Sequence, residues 1–132
     1  MNQIRTGIIL GALGIVLGAF GAHGLTKVAS EVIVTSYKTG VFYQLIHAFY
    51  FIILGVLFKI NLLTQKELKR VSILALLGIL FFSGSIYGIT ICKIIDAPTG
   101  IKVFGPITPI GGLLLIISWL ALLITQLKKN SN

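Results

Sequence analysis

The second apolar block of the sequence carries polar side chains on one helical face. Tyr43, Gln44, His47 and Tyr50 stand at positions i, i+1, i+4 and i+7, so a helix places them on one side. His47 lies about eight residues inside the block, or about 12 Å deep at 1.5 Å per residue. A polar group at this depth is costly unless paired, which makes His47 a candidate for ligand binding or proton transfer. The alternative is that neutral His47 hydrogen-bonds a neighbouring helix and fixes the packing.

Three other segments add polar residues. His23 ends the first block in GAFGAHGL, the run FFSGSIYG holds Ser83 and Tyr87, and Thr108 lies in GPITPIGG. These segments converge at one end of the bundle if the helices pack antiparallel in chain order. The alternatives are a plug of tightly packed turns, and serines that bond back to their own helix. The candidate ligand-binding site comprises His23, Tyr43, Gln44, His47, Ser83, Tyr87 and Thr108.

These residues do not form a catalytic or metal-binding set. No carboxylate pairs with Ser83 or His47, so we expect no catalytic residue and rank an enzyme acting on a lipid-soluble substrate last. Two histidines are too few for a metal site, and nothing in the sequence indicates a cofactor. Cys92 is alone and is best explained as a small apolar filler. Trp119 is explained as an interface anchor or as packing.

Four long apolar blocks must position the candidate residues. They run approximately over residues 4–25, 39–58, 71–92 and 106–127. Each has about 20 residues, enough for a helix to span the ~30 Å hydrocarbon core. Four such blocks cannot close a barrel, so helix is the structure that satisfies the backbone in lipid. We predict an all-α, single-domain, antiparallel four-helix bundle that is a multi-pass protein of the cell membrane.

The charges agree with a membrane location and indicate an orientation. Only 11% of the residues are charged, whereas soluble domains have about a quarter, and the net charge is +8. Basic residues at the ends of apolar blocks favour membrane lipid as the partner, and no arginine–aromatic cluster indicates nucleic acid. Seven Lys and Arg lie on the side of the termini and four on the other. This bias predicts that both termini are cytoplasmic.

The connections between the blocks are short. The first could form a short interfacial helix around Val28, Val32 and Ile33. Thr64 and Glu67 have capping-box spacing, which predicts that the third helix begins near Gln65. Residues 93–105 contain Pro98 and Gly100 and are typical of an irregular turn. The proline that follows, at position 106, suits the first position of the fourth helix.

Glycines form a stripe along the first block. Gly7, Gly11, Gly14, Gly18 and Gly21 are spaced by 4, 3, 4 and 3 residues and therefore share one face. A helix without side chains on one face lets its neighbour approach closely and gain van der Waals contact. The sequence leaves open whether that neighbour belongs to the same chain or to a second subunit of a homo-oligomer. A weaker small-residue face on the third block holds Gly84 and Gly88.

Four segments in this order resemble the YgdD/YwdK-like family of small bacterial inner-membrane proteins. They are GALGIVLGAFGAHGL, Tyr43-x-x-x-His47-Ala48, FFSGSIYG and GPITPIGG, and they match over residues 11–25, 43–48, 82–87 and 105–112. The resemblance implies a four-span membrane protein. The family has eukaryotic relatives, is known as a domain of unknown function, and implies no activity. Its members often have Trp-Glu or a similar pair before the second helix, where this chain has Tyr37-Lys38.

Two functional hypotheses remain. The first is a non-enzymatic, oligomeric membrane protein whose polar half, opposite the termini, binds a lipid, a quinone-like molecule or a protein. The alternative is a small transporter or proton-coupled carrier that uses His47 and works as an oligomer, because four helices need a second copy to enclose a path. The four spans of this chain contain no buried acid and no break in mid-helix, which weakens the transporter hypothesis.

Overall fold

The structure, a computed structural model, describes residues 2–130, and this part of the chain is helical without any strand. The helices are α1 (Gln3–His23), α2 (Glu31–Lys59), α3 (Gln65–Ile94), α4 (Pro98–Phe104) and α5 (Ile107–Asn130), with a 3₁₀ turn at Leu25–Lys27. Four stretches are long and apolar enough to cross a membrane. They are Gln3–Lys27, Glu31–Lys59, Gln65–Ile94 and Pro98–Lys129.

The third helix begins where the capping-box spacing of Thr64 and Glu67 predicts. The Thr64 side chain accepts from the Glu67 backbone N–H, and the Glu67 carboxylate accepts from the Thr64 backbone N–H at 2.8 Å. This reciprocal capping box satisfies two backbone donors that the first helical turn leaves without partners. The predicted start of the third helix near Gln65 is therefore confirmed.

The other connections are more helical than the sequence indicates. Val32 and Ile33 belong to α2 itself, which begins at Glu31, so they form no separate interfacial helix. The irregular turn predicted for residues 93–105 is wrong, because Pro98–Phe104 forms α4. Pro98 stands at the first helical position, where its missing N–H costs nothing. The chain enters α4 through Asp96, whose positive φ of 53° is a conformation that Asp tolerates better than most residues.

The helices pack in chain order. The main contacts join α1 to α2, α2 to α3 and α3 to α5, and α4 folds back against α3. The two central helices, α2 and α3, are accordingly the most buried. Both ends of the described chain and the loop 60–64 lie at one end of the bundle, which we call the terminal end. The 3₁₀ turn and α4 lie at the other, which we call the loop end.

The glycine stripe of α1 lies against α2 of the same chain. A Cβ atom added at Gly7 would come within 2.5 Å of the Ala48 carbonyl oxygen, and one at Gly14 within 2.7 Å of Leu45. At Gly21 it would lie 2.8 Å from a tyrosine ring of α2. Real Cβ contacts are longer than this, and the Ala48 oxygen at Gly7 is a backbone atom, so the close approach of the two helices depends above all on Gly7. The Leu45 side chain can shift away from an atom added at Gly14.

The remaining predicted packing glycines have more varied surroundings. A Cβ would make ordinary contacts at Gly11 and Gly18, at 3.7 and 3.4 Å. At Gly88 it would press on the Phe104 ring of α4 at 2.9 Å. Gly84 has no atom of another helix within 4 Å of this position, because it faces a groove on the surface.

A second close helix crossing joins α3 to α5 and depends on glycines outside the α1 stripe. A Cβ at Gly111 would lie 2.7 Å from the Phe82 Cα atom, and one at Gly78 would lie 2.8 Å from Leu115 Cγ. The Phe82 Cα atom is part of the rigid backbone of α3 and cannot move aside as a side chain could. This crossing brings the polar residues of α5 next to those of α2 and α3.

Candidate functional site

Gln44 connects three helices near the middle of the bundle. It is 5% exposed, its Nε2 donates to the Leu10 carbonyl at 2.9 Å, and its Oε1 accepts from the Tyr87 hydroxyl at 2.9 Å. On the same side of α2, the buried Ser83 hydroxyl donates to the Gly40 carbonyl at 2.8 Å. These bonds join α2 to α1 and α3 and engage both ends of the Gln44 amide. Gln44, Ser83 and Tyr87 also line a surface groove between α1 and α3.

His47 is held through both ring nitrogens. It is 2% exposed, its Nδ1 lies 2.8 Å from the Tyr43 carbonyl oxygen, and the Trp119 Nε1–H donates to its Nε2 at 3.3 Å. A carbonyl only accepts and an indole N–H only donates. The neutral imidazole with its proton on Nδ1 is therefore the form that satisfies both contacts. An imidazolium would point an N–H at the N–H of Trp119.

A second buried network lies beside His47, toward the terminal end. The Tyr50 hydroxyl donates to the Ser118 carbonyl at 3.2 Å, and the Ser118 hydroxyl donates to the Val71 carbonyl at 3.0 Å. The Trp119 ring packs on the Tyr50 ring with centroids 4.2 Å apart. Tyr50 and Ser118 are almost fully buried. Residues of α2, α3 and α5 thus share one polar contact set inside an otherwise apolar core.

Thr108 takes part in a separate network where α5 begins. Its Oγ1 lies 2.7 Å from the Ser85 hydroxyl, and either atom can donate. Ser85 Oγ also lies 2.9 Å from the Phe82 carbonyl, and Thr108 Oγ1 lies 3.4 Å from the Phe104 carbonyl. This network joins α3 to the start of α5.

The seven predicted site residues therefore do not form one cluster. Gln44, Ser83 and Tyr87 join α1, α2 and α3, whereas Tyr43 and His47 face α5. Thr108 bonds Ser85, and His23 is exposed at the end of α1, where its side chain makes none of these contacts. In the part of the chain that the structure describes, no group of three or more His, Cys, Asp or Glu could hold a metal ion.

Sequence reasoning missed several members of these networks. Trp119, explained above as an interface anchor or as packing, packs on Tyr50 and also donates to His47. Ser118 connects α5 to α2 and α3, and Ser85 connects α3 to α5. A signal for two of them was present, because Ser118 and Trp119 lie near the middle of the fourth apolar block, where polar atoms need partners.

Two of the predicted residues line an open groove between α2, α3 and α5, which we call the aromatic groove. Its volume is about 190 Å³. It is lined by Tyr43, His47, Phe82, Gly112, Leu115, Ile116 and Trp119. Tyr43 is 39% exposed and packs on Phe82 with ring centroids 4.8 Å apart. Its hydroxyl makes no hydrogen bond to any residue between 2 and 130.

Gly112 lines the aromatic groove and, having no side chain, leaves space in it. A Cβ atom there would lie 3.5 Å from the Phe82 ring, which is ordinary contact. The position therefore tolerates a side chain, and a large one would occupy the groove. Its neighbour Gly111 has no such space.

Comparison with known proteins agrees with the membrane fold. The profile of the family described as protein of unknown function (DUF423) matches residues 17–112. The chain is 42% identical to a UPF0382 membrane protein of Staphylococcus haemolyticus, with 92% of this chain and 94% of that protein covered. It is 37% identical to the UPF0382 membrane protein YwdK of Bacillus subtilis, with 92% and 95% covered.

No solved structure matches the chain. The four membrane-spanning helices and the relatives named as membrane proteins identify it as a multi-pass membrane protein in a lipid environment. The profile match and the extent of these identities lead to one conclusion: the chain belongs to the DUF423 family of small membrane proteins.

Proposed function

We propose that the protein is a non-enzymatic helix bundle that binds a lipid-soluble, ring-bearing molecule of the quinone class in the aromatic groove. The observation that carries this proposal is the groove itself, in which the rings of Tyr43, Phe82 and Trp119 surround a space of about 190 Å³. Aromatic walls favour a flat ring through offset or edge contacts. The space suits one ring but not a whole phospholipid, since typical sites for drug-sized ligands have about 300–1,000 Å³.

The Tyr43 hydroxyl supplies the polar element of the site. It is the one polar group lining the groove that is not already bonded within residues 2–130. A phenol donates a hydrogen bond, and a quinone carbonyl accepts one. Specific ligand sites commonly combine an apolar lining with a few such polar groups.

Binding without catalysis fits the state of His47. Both of its nitrogens are engaged in the neutral form, so the residue has no free lone pair to act as a base. The groove lining contains no serine, threonine, cysteine, lysine or carboxylate that could serve as a nucleophile.

Proton-coupled transport has less support. Proton transfer through His47 would require its bond to Trp119 to break in each cycle. The helices α2, α3 and α5 also run unbroken through their apolar segments, whereas transporters often bind substrate at interrupted helices. Proton flux into liposomes that is abolished by His47→Ala would favour the carrier over the proposed binding function.

Trp119 provides a direct test of quinone binding, since it is the only tryptophan of the chain and lines the groove. A short-chain benzoquinone is titrated into the purified protein, and tryptophan emission is corrected for absorption by free quinone. We expect saturable quenching. Gly112→Leu should fill the groove and remove the saturable component.

Gly84→Leu is the matched control, because Gly84 also has open space but lies outside the aromatic groove. This variant should be quenched like the wild type. Linear quenching that is the same in all three proteins would mean that quinone merely partitions into the micelle, and the proposal would then be wrong.

A further inference from the structure

A second groove with a basic mouth lies between α3 and α5 at the terminal end, and we call it the basic groove. Its volume is about 430 Å³, larger than that of the aromatic groove. Lys66, Arg70 and Lys128 line its mouth, and its walls continue over Leu74, Ile117 and Ile124. All three cations are exposed.

Within residues 2–130, no acidic side chain forms a salt bridge with these cations, although the Glu67 carboxylate lies close enough to Arg70 to interact electrostatically. Glu67 also lines the groove, but its Oε2 accepts from both the backbone N–H and the hydroxyl of Thr64, at 2.8 and 2.7 Å. The capping box therefore holds this carboxylate on the helix end. The other two acids, Glu31 and Asp96, lie at the loop end. The mouth keeps a net positive charge.

The groove runs along the helix axes from a polar to an apolar region. On α5 its lining includes Ile117, Ala121 and Lys128, which cover about 16 Å at 1.5 Å per residue. This is about half of the ~30 Å hydrocarbon core, or one leaflet. On α3 it passes from Arg70 to Leu74, one turn deeper. The basic mouth followed by an apolar wall matches the charged head group of a lipid followed by its acyl chain.

We propose that the basic groove binds an anionic phospholipid, with its phosphate among Lys66, Arg70 and Lys128 and one acyl chain along the wall formed by α3 and α5. The Arg70 guanidinium can bond two phosphate oxygens, and the lysines add point charges. A phospholipid with a cationic choline head group would place its positive charge near three others. The groove therefore selects lipids of net negative charge.

Native mass spectrometry of the full chain, released from micelles with equal phosphatidylglycerol and phosphatidylcholine, tests the proposal. We expect the wild type to retain phosphatidylglycerol preferentially. K66Q, R70Q and K128Q should each lower its apparent affinity about five-fold, as expected for one lost charge near a head group. The triple variant should retain the two lipids equally.

Lys69→Gln is the matched control, because Lys69 is an exposed cation beside Arg70 that does not line the groove. It should retain phosphatidylglycerol like the wild type. An equal loss in K69Q would show general attraction to a basic surface and overturn the site. Equal retention of both lipids by the wild type would also overturn it.

Two further measurements test whether the bound phosphate belongs to a lipid and whether an acyl chain occupies the apolar wall. Inorganic phosphate should not displace the lipid, and displacement at equal concentration would indicate a free-phosphate site. Ile124→Trp fills the apolar wall without changing the charge and should lower lipid retention, whereas unchanged retention would contradict insertion of a chain. Quinone quenching at the aromatic groove does not depend on any of these results.

Discussion

At the scale of single residues, the buried polar side chains singled out by the sequence as site candidates are explained by their hydrogen-bond partners. The position of His47 deep inside the second apolar block suggests a proton-transfer group. In the structure, however, its Nε2 accepts from Trp119 and its Nδ1 contacts the Tyr43 carbonyl. Gln44 likewise has both ends of its amide bonded. Side chains that are satisfied in this way fix helix positions, because breaking one bond leaves a polar group unpaired away from water.

Replacing His47 tests this structural role. His47→Leu should lower the free energy of unfolding in detergent by about 1 kcal/mol, since the Trp119 N–H loses its acceptor. His47→Gln keeps an acceptor and should lose less. The measurement is unfolding by titration with a denaturing detergent, and equal stability of the Leu variant and the wild type would contradict the role.

Two serines of α3 form a matched pair. Ser83 donates to the Gly40 carbonyl at 2.8 Å, whereas Ser72 is the one buried side-chain polar group of the described residues without a hydrogen-bond partner. Ser83→Ala should cost about 0.5–1 kcal/mol of unfolding free energy. Ser72→Ala should be neutral or stabilising, because it removes an unpaired hydroxyl. The same detergent titration distinguishes them, and equal losses would contradict the assignment.

At the scale of elements, the approach of α1 to α2 depends on individual glycines of the stripe. Gly7→Ala should lower the unfolding free energy by about 1–3 kcal/mol, since the added Cβ meets the rigid Ala48 carbonyl. Gly11→Ala is the control on the same face, where the added atom makes ordinary contact at 3.7 Å. Thermal unfolding of both variants in the same detergent should show a large loss for Gly7→Ala alone. Similar losses would mean that the helix face as a whole sets the stability.

The ends of the elements show which local signals the sequence carries. Thr64 and Glu67 predict the start of α3 correctly, because a capping box is made by residues three apart in the chain. The helix Pro98–Phe104 was not predicted, because its turn residues are also typical of loops. It packs on α3, and its Phe104 ring lies against Gly88. Such a short helix depends on tertiary packing, which local propensity does not reveal.

At the scale of the whole molecule, the charge distribution predicts the orientation. Seven Lys and Arg at the terminal end against four at the loop end should keep both termini in the cytoplasm. A C-terminal green fluorescent protein should therefore fluoresce in cells, and a C-terminal alkaline phosphatase should be inactive. Activity of the phosphatase fusion would contradict this orientation, and the basic groove would then lie in the outer leaflet.

The two grooves belong to the whole molecule because each uses residues that are far apart in the sequence. The aromatic groove combines Tyr43, Phe82 and Trp119, and the basic groove combines Arg70 with Lys128. Two of the seven predicted site residues, Tyr43 and His47, line the aromatic groove. Others of the set bond within the bundle, because their rotation about the helix axes turns them toward neighbouring helices.

The sequence by itself determined that this is a membrane protein with four spanning helices in chain order. The physical reason is that hydrocarbon offers the backbone no hydrogen bonds, so long apolar blocks must be helices whatever their neighbours. Only the tertiary structure decided what the polar residues inside those helices do. Their partners depend on how the helices rotate and cross, as at Gly111 over Phe82, and this brings Trp119 to His47 and leaves the two grooves open.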